Sequence, residues 1–225
     1  MCDNGKTQMK KKKKAGYNQP KRLHFASDED LFPWLSMLLD AYYFIDKGIA
    51  EALSTEGSKG RKVACSKGCS YCCRTHDTIP VYPLELVGLS WYVAEKTGGQ
   101  LRETIRTRLI QYREGSPCPF LIENSCAIHP MRPAACRQFI VFDTPCDEGE
   151  DPYYSRRYDV LSPLRQYVDK AFFIMLPFYG VADETERLKM IETSAVHAVV
   201  RLIQSCNWQS LADKMDEFDR KVRAD

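Results

Sequence analysis

The stretch CSKGCSYCC, residues 65–73, places four cysteines within nine residues of this 225-residue chain. Such density matches metal-ligand spacing better than the periodicity of a buried helix or strand face. Gly68 and Ser70 flank Cys69, and their small side chains let the backbone turn tightly enough for several sulfurs to face one centre. The stretch therefore predicts an irregular metal-binding turn, with the rest of the fold arranged around it.

A second group of cysteines follows at wider spacing. Four prolines stiffen it, which lowers the entropy cost of holding ligands in place. It contains Cys118-Pro-Phe-Leu, Cys126-Ala-Ile-His129, Arg132-Pro-Ala-Ala-Cys136-Arg137 and finally Cys146.

Seven thiols are the candidate metal ligands: Cys65, Cys69, Cys72, Cys73, Cys118, Cys126 and Cys136. We expect Cys65, Cys69, Cys72 and one member of the second group to be the main ligands, with Cys73 able to replace any of them. Participation of Cys146 and His129 is left open. The two remaining cysteines, Cys2 and Cys206, are interpreted as ordinary small side chains.

Zinc and iron–sulfur clusters both accept four thiolates. The spacing favours a cluster, because zinc knuckles usually pair two separated Cys-x2-Cys turns and only Cys69 and Cys72 form one here. Residues 65–72 also have the cysteine spacing of a radical S-adenosylmethionine cluster loop. That chemistry needs a strand-rich α/β barrel, which the helical pattern of this chain does not predict.

Thiolates around a buried metal leave net negative charge that basic groups must offset. Four basic residues stand within two positions of a cysteine or on the same proline-rich loop: Lys67, Arg74, Arg132 and Arg137. They are candidates for hydrogen bonds to sulfur or for closing the loop over a cofactor. Surface salt bridging is the alternative role for all four.

Over residues 62–140 these motifs together resemble the YkgJ-type cysteine-cluster family, which is described as a zinc- or iron-chelating domain. Members of that family often have Tyr where His129 stands. The same domain resembles part of the flagellin lysine N-methylases, and that resemblance implies S-adenosylmethionine as a further candidate cofactor. The chain is shorter than such an enzyme.

The sequence outside the cysteines predicts a mostly α fold. Apolar residues recur every three or four positions from Leu31 to Leu53, with Ser27 as the expected N-cap. Further helices are expected from Pro83 to Lys96, around 101–112, from about Val160 to Leu176, from Asp183 to Leu202, and from Trp208 onward. Thr78–Tyr82 is the longest candidate strand. We predict one helical domain, residues 23–225, with an irregular cysteine-rich segment at 62–146.

The charge is divided unevenly along the chain. Residues 1–22 carry a balance of +7 and the remainder −5, within a net charge of +2. Lys10 to Lys14 are consecutive, so we expect residues 1–22 to form a disordered basic tail. The acidic body argues against a nucleic-acid-binding surface beyond weak contact of the tail with RNA, DNA or anionic lipid.

Neither a secretory signal nor a membrane span is expected. The apolar run from Ala171 to Ala182 is interrupted by Pro177 and is shorter than a bilayer requires. A cytosolic metal-binding protein with an iron–sulfur cluster or zinc, in a structural or redox role, is the first hypothesis. A cluster-dependent enzyme that modifies a protein substrate is the second, and redox sensing by surplus thiols is the third.

Overall fold

A computed structural model describes residues 19–224, which include all candidate ligands and exclude most of the predicted tail. It is 62% helical, which confirms the mostly α prediction. The α-helices of this region are α1 (Ala26–Leu31), α2 (Pro33–Ser58), α3 (Tyr71–Thr75), α4 (Pro83–Trp91), α5 (Gly99–Gln111), α6 (Ala134–Gln138), α7 (Pro152–Ser155), α8 (Arg165–Met175), α9 (Glu184–Glu192) and α10 (Trp208–Ala224). Within the same residues, no helix combines the length and apolarity that crossing a bilayer requires.

One core forms where α2 packs along α8. The apolar stripe predicted from the sequence supplies it, since Leu38, Tyr42 and Ile45 are at most 4% exposed. Ala171 and Met175 of α8 lie in the same core. Helix α2 also contacts α4 and α6, both of which belong to the cysteine-rich segment. The first core therefore supports that segment at two places.

A second core forms between α5, α10 and the end of α4. A single π-helical turn, Tyr92–Lys96, extends α4 to the predicted end of the helix. Arg102 of α5 is buried here, and its guanidinium donates to the Met215 carbonyl at 2.9 Å and pairs with Asp219 at 2.8 Å. These contacts fix α10 against α5. At the beginning of α10, the Trp208 ring packs edge-on against Phe120 of the cysteine-rich segment.

The strands are short and pair in two antiparallel ladders. β1 (Pro80–Val81) pairs with β4 (Arg201–Leu202), within the predicted strand 78–82. β2 (Leu121–Ile122) and β3 (Ser125–Cys126) form a hairpin that the sequence analysis did not predict. Both turn residues of that hairpin have positive φ, Glu123 at 46° and Asn124 at 59°, as a two-residue turn between twisted strands requires.

Two predicted helix beginnings are wrong. Ser27 is not the N-cap of α1: Phe25 is, and the Glu29 carboxylate accepts its backbone N–H at 2.9 Å. Pro33 then starts α2 as a separate helix. The helix expected from about Val160 begins instead at Arg165, because Val160 pairs with Val141 in an isolated bridge and Pro163 follows.

The long helix expected from Asp183 to Leu202 is also wrong. The Asp183 side chain caps α9 as expected, accepting from the Glu186 N–H at 2.9 Å. The helix ends at Glu192, and Ser194 adopts a left-handed φ of 59°. A short 3-10 turn, Ala195–Val199, and strand β4 follow, so the apolar spacing seen in the sequence spans three different elements.

Candidate metal centre

The first cysteine loop, residues 65–76, turns on Gly68, whose φ is +86°. Its backbone closes with Cys69 N–H donating to the Ser66 carbonyl at 3.0 Å. Helix α3 then begins, with Cys72 and Cys73 in its first turn. The glycine was singled out from the sequence, and its left-handed conformation explains why that position suits a residue without a side chain.

The second cysteine loop, residues 118–146, is joined directly to the first. Cys118 N–H donates to the Cys73 carbonyl at 2.8 Å. Arg74 donates to the Ser70 hydroxyl at 3.3 Å and to the Asn124 side chain in the β2–β3 turn. Because Cys126 lies at the end of that hairpin, these bonds hold thiols from both loops in one region.

All seven candidate ligands line a single cavity of about 910 Å³. Its walls include Ile79 and Leu121 from the second core, and Phe139, which packs with Val141, Cys146 and Val160 in a smaller cluster. Cys118 is buried, whereas the other six thiols are partly buried. Cys146 does not line the cavity: it packs against Cys65, Val141 and Val160.

Backbone N–H groups lie near several of the sulfurs. Val141 N–H donates to Cys65 Sγ at 3.3 Å. The backbone N–H groups of Phe120 and Ile128 act to lower the pKa of Cys118 and Cys126, and Leu121 N–H donates to the Cys118 carbonyl at 3.0 Å in the tight Cys-Pro-Phe-Leu turn. Such donors stabilise negative charge on sulfur and are among the features that tune thiolate-bound clusters.

Burial nevertheless favours the protonated form of several of these thiols. It raises the pKa of Cys118 to about 12 and that of Cys136 well above its ordinary value. For Cys72 the contact with the adjacent Cys73 thiol raises the pKa most, and burial adds to it. A metal that binds here must displace these protons, since only the thiolate is a ligand.

The four candidate basic residues take different positions. Lys67 and Arg132 line the cavity, and the Arg132 charge acts to lower the pKa of Cys65, Cys126 and Cys136 against the effect of burial. Its Nε is buried without a hydrogen-bond partner in the described residues. Arg132 is therefore placed to offset thiolate charge.

Arg137 and Arg74 lie outside the cavity lining. Arg137 is 5% exposed, pairs with Asp46 of α2 at 2.9 Å and donates to the carbonyls of Arg132 and Pro130. It thereby ties the loop before α6 to the helical core, while Arg74 joins the two cysteine loops. Both arginines thus connect loop segments, which is one of the roles that the sequence analysis gave as possible for them.

Three further residues of this region were not singled out from the sequence as site residues. Glu85 of α4 is buried, and its carboxylate accepts from Ala134 N–H at 2.7 Å and Tyr82 N–H at 2.9 Å, which positions α6 and Cys136. Asp151 and Tyr154 line the cavity from beyond the second loop. Glu85 and Asp151 also make local caps, to the N–H groups of Tyr82 and Tyr153, but their contacts with Ala134 and His76 join residues 49 and 75 positions apart and have no local signal in the sequence.

The chemistry of these donors fits a metal that prefers sulfur. Several thiols, N–H donors aimed at sulfur and an unpartnered buried guanidinium nitrogen converge on one cavity. Within residues 19–224, however, no three Cys, His, Asp or Glu side chains are gathered closely enough to hold one ion. The structure thus gives a common cavity for the thiols, and the ligand set within it is a matter for proposal.

Comparison with known proteins bears on the same region. Residues 64–155 match the family model CxxCxxCC, described as "Putative zinc- or iron-chelating domain". The match confirms the resemblance to a cysteine-cluster family seen in the motifs, and it supports metal binding by the cysteines. Searches of curated proteins and of solved structures found no match to the chain.

Proposed function

We propose that the chain binds an iron–sulfur cluster through thiolates of the two cysteine loops, and that this cofactor serves a structural or redox role. The single observation that carries the proposal is the convergence of seven cysteines, from two loops that are distant in sequence, on one cavity. The match to a zinc- or iron-chelating domain supports metal binding without choosing between the two metals.

The spacing of the thiols and the sulfur environment favour a cluster over a single zinc ion. Zinc knuckles usually pair two separated Cys-x2-Cys turns, and only Cys69 and Cys72 form one in this chain. Val141 N–H donates to Cys65 Sγ, as N–H groups do to the sulfurs of clusters.

The residues of the site have separable tasks in this proposal. Thiols of both loops supply the ligands, Arg132 offsets their charge, and Glu85 with Arg137 holds α6 in place. When bound, a cluster supplies one-electron redox chemistry and cross-links the two loops. We place this function in the cytosol, where thiols stay reduced.

The test is the composition of protein purified without oxygen. Iron and acid-labile sulfide in similar amounts, at least two of each per chain, with broad visible absorption, is the expected result. Stoichiometric zinc without sulfide would contradict the cluster and would indicate a structural zinc site. A chain with no stoichiometric metal would contradict metal binding altogether.

An enzyme that modifies a protein, using S-adenosylmethionine, remains a prediction from the methylase resemblance alone. The domain match supports metal binding and does not extend to that cofactor. Equilibrium dialysis of cluster-loaded protein with S-adenosylmethionine would test it, and absence of binding would leave the metal-binding function unaffected. A protein partner and weak nucleic-acid or lipid contact of residues 1–22 likewise remain predictions.

A further inference from the structure

His76 lies where the first cysteine loop enters the cavity. Its backbone N–H donates to the Cys72 carbonyl at 3.1 Å, one helical turn earlier. Residues four apart share a helix face, so the His76 and Cys72 side chains are on the same side of α3. The imidazole is only 11% exposed and lines the cavity with the thiols.

The ring of His76 is held from two sides. Asp151 Oδ1 lies 3.2 Å from Nε2, which is buried and has no aligned hydrogen bond within residues 19–224. Phe139 packs edge-on against the ring, with centroids 4.4 Å apart and planes at 83°. Asp151 is itself fixed, because the same oxygen accepts Tyr153 N–H at 2.9 Å as the cap of α7.

This arrangement is the one that proteins use to orient a metal-binding histidine. Such a histidine binds metal with one ring nitrogen and directs the other N–H at a carboxylate. With Nε2 facing Asp151, Nδ1 is the nitrogen left to face a ligand. Asp151 Oδ1 lies within 3.2 Å of Nε2 without an aligned hydrogen bond, so the Nε2–H to Asp151 bond belongs to the metal-bound state, in which Nδ1 would carry the lone pair that binds the metal.

We propose that His76 is a nitrogen ligand of the metal held in the cysteine cavity, with Asp151 as its positioning residue. The inference rests on the proposed function, since it needs a metal in the cavity. It also explains why an Asp–His pair, 75 residues apart in the chain, lines the same cavity as the thiols.

His129 is the natural comparison. It also lines the cavity, but the charges that act on it are those of Arg132 and Arg137 and, more weakly, that of Asp46. Within residues 19–224 no carboxylate lies within ion-pair distance of its ring. Nothing described in the structure orients its ring for ligation. His129→Gln therefore serves as a matched control for His76→Gln.

The test is X-ray absorption at the edge of the bound metal, on full-length protein loaded with iron or zinc as purified. The wild type should show sulfur scatterers at about 2.3 Å, a nitrogen at about 2.0 Å and the outer-shell scattering of imidazole. That imidazole signal should vanish in His76→Gln and persist in His129→Gln. An all-sulfur shell in the wild type, or a signal that survives in His76→Gln, would overturn the proposal.

Asp151→Asn gives a second measurement in case His76→Gln fails to fold. Asn keeps an oxygen to cap α7, so the loop can hold its shape while the charge at Nε2 is removed. Zn²⁺ affinity, measured by competition with a chromophoric chelator, should fall about 10- to 100-fold, with Asp147→Asn unchanged. Equal affinities in the two variants would overturn the positioning role. A wild type without bound metal would instead contradict the proposed function.

Discussion

The α2–α8 pair and the two cysteine loops are held together by different physics. Helix α2 runs 26 residues and buries a regular apolar stripe, with Leu35 and Leu38 fully inaccessible. The cysteine loops contain no helix longer than five residues and strands of only two, lengths that are not stable alone. Hydrogen bonds that Arg74 and Arg137 donate and that the Glu85 carboxylate accepts connect those short elements.

The difference shows what each region requires in order to keep its shape. Burial of apolar area is the main contact between α2 and α8, and the Tyr167 hydroxyl adds one hydrogen bond to Glu51 at 2.6 Å. The loops place buried and partly buried thiols around one cavity. In the proposed function, bonds from these thiols to a shared metal complete the contacts between the loops. If this account is correct, metal removal affects the loops and spares the helical pair.

The largest effect is expected from Cys136→Ser. Ser is a poor ligand for the metals considered, so metal content should fall to well below half of wild type. The metal-linked stability, about 4 kcal/mol at a thousandfold excess over Kd, should go with it. Metal analysis and chemical unfolding of the same samples measure both.

Cys206→Ser is the matched control for that variant. Cys206 lies outside the cavity lining, and its Sγ approaches the Leu202 carbonyl at 3.4 Å, a contact that a hydroxyl can make. Its metal content should equal wild type. Equal losses in the two variants would mean that the cavity does not define the site.

Leu38→Ala should produce the opposite pattern. Leu38 is fully buried in the α2–α8 core, so truncation should cost about 3 kcal/mol by lost burial and a residual cavity. Metal content per folded chain should not change. The control is Leu188→Ala, at a side chain that is 52% exposed, which should lower stability far less. If Leu38→Ala also loses metal per folded chain, the helical pair and the metal site are not independent.

The smallest effect concerns the edge of the helical region and is seen only in acid. Arg22 donates to Glu29 at 2.7 Å, and this bond lowers the Glu29 pKa to about 2 from its ordinary 4.5. The resulting stability is present above about pH 4.5 and is lost as pH falls toward 2. The full shift corresponds to about 3 kcal/mol, and because Phe25 and Ser36 share in it and solvent screens the partly exposed Arg22, the share of this ion pair is about 1–2 kcal/mol.

Glu29→Gln should therefore be less stable than wild type at pH 7 and should lose less stability between pH 4.5 and 2. Unfolding by urea at several pH values measures this. Asp30→Asn, at the exposed neighbouring position, should follow the wild-type curve. Parallel curves for Glu29→Gln and wild type would show that the Arg22 bond does not contribute.

The sequence predicted those parts whose causes are local. The stripe of α2, Pro83 at the start of α4 and the last helix from Trp208 follow from periodicity and helix-start signals. The density of cysteines likewise indicated a metal site before any fold was known. Such features depend on residues within a few turns of one another.

The remaining features depend on distant partners. Ser194 in a left-handed conformation interrupts a spacing that reads as one long helix. Asp151 reaches His76, and Glu85 reaches Ala134, only through the tertiary fold. The β2–β3 turn, with a positive φ at Glu123 as well as Asn124, departs from the glycine-containing pairs by which such turns are recognised.

Hydrogen exchange before and after removal of the metal tests the central contrast most directly. The account predicts that amides of the cysteine loops, residues 65–76 and 118–146, lose protection when a chelator removes the metal, while those of α2 and α8 keep theirs. Equal loss of protection in both regions, or no change in the loops of a chain shown to have bound metal, would contradict it.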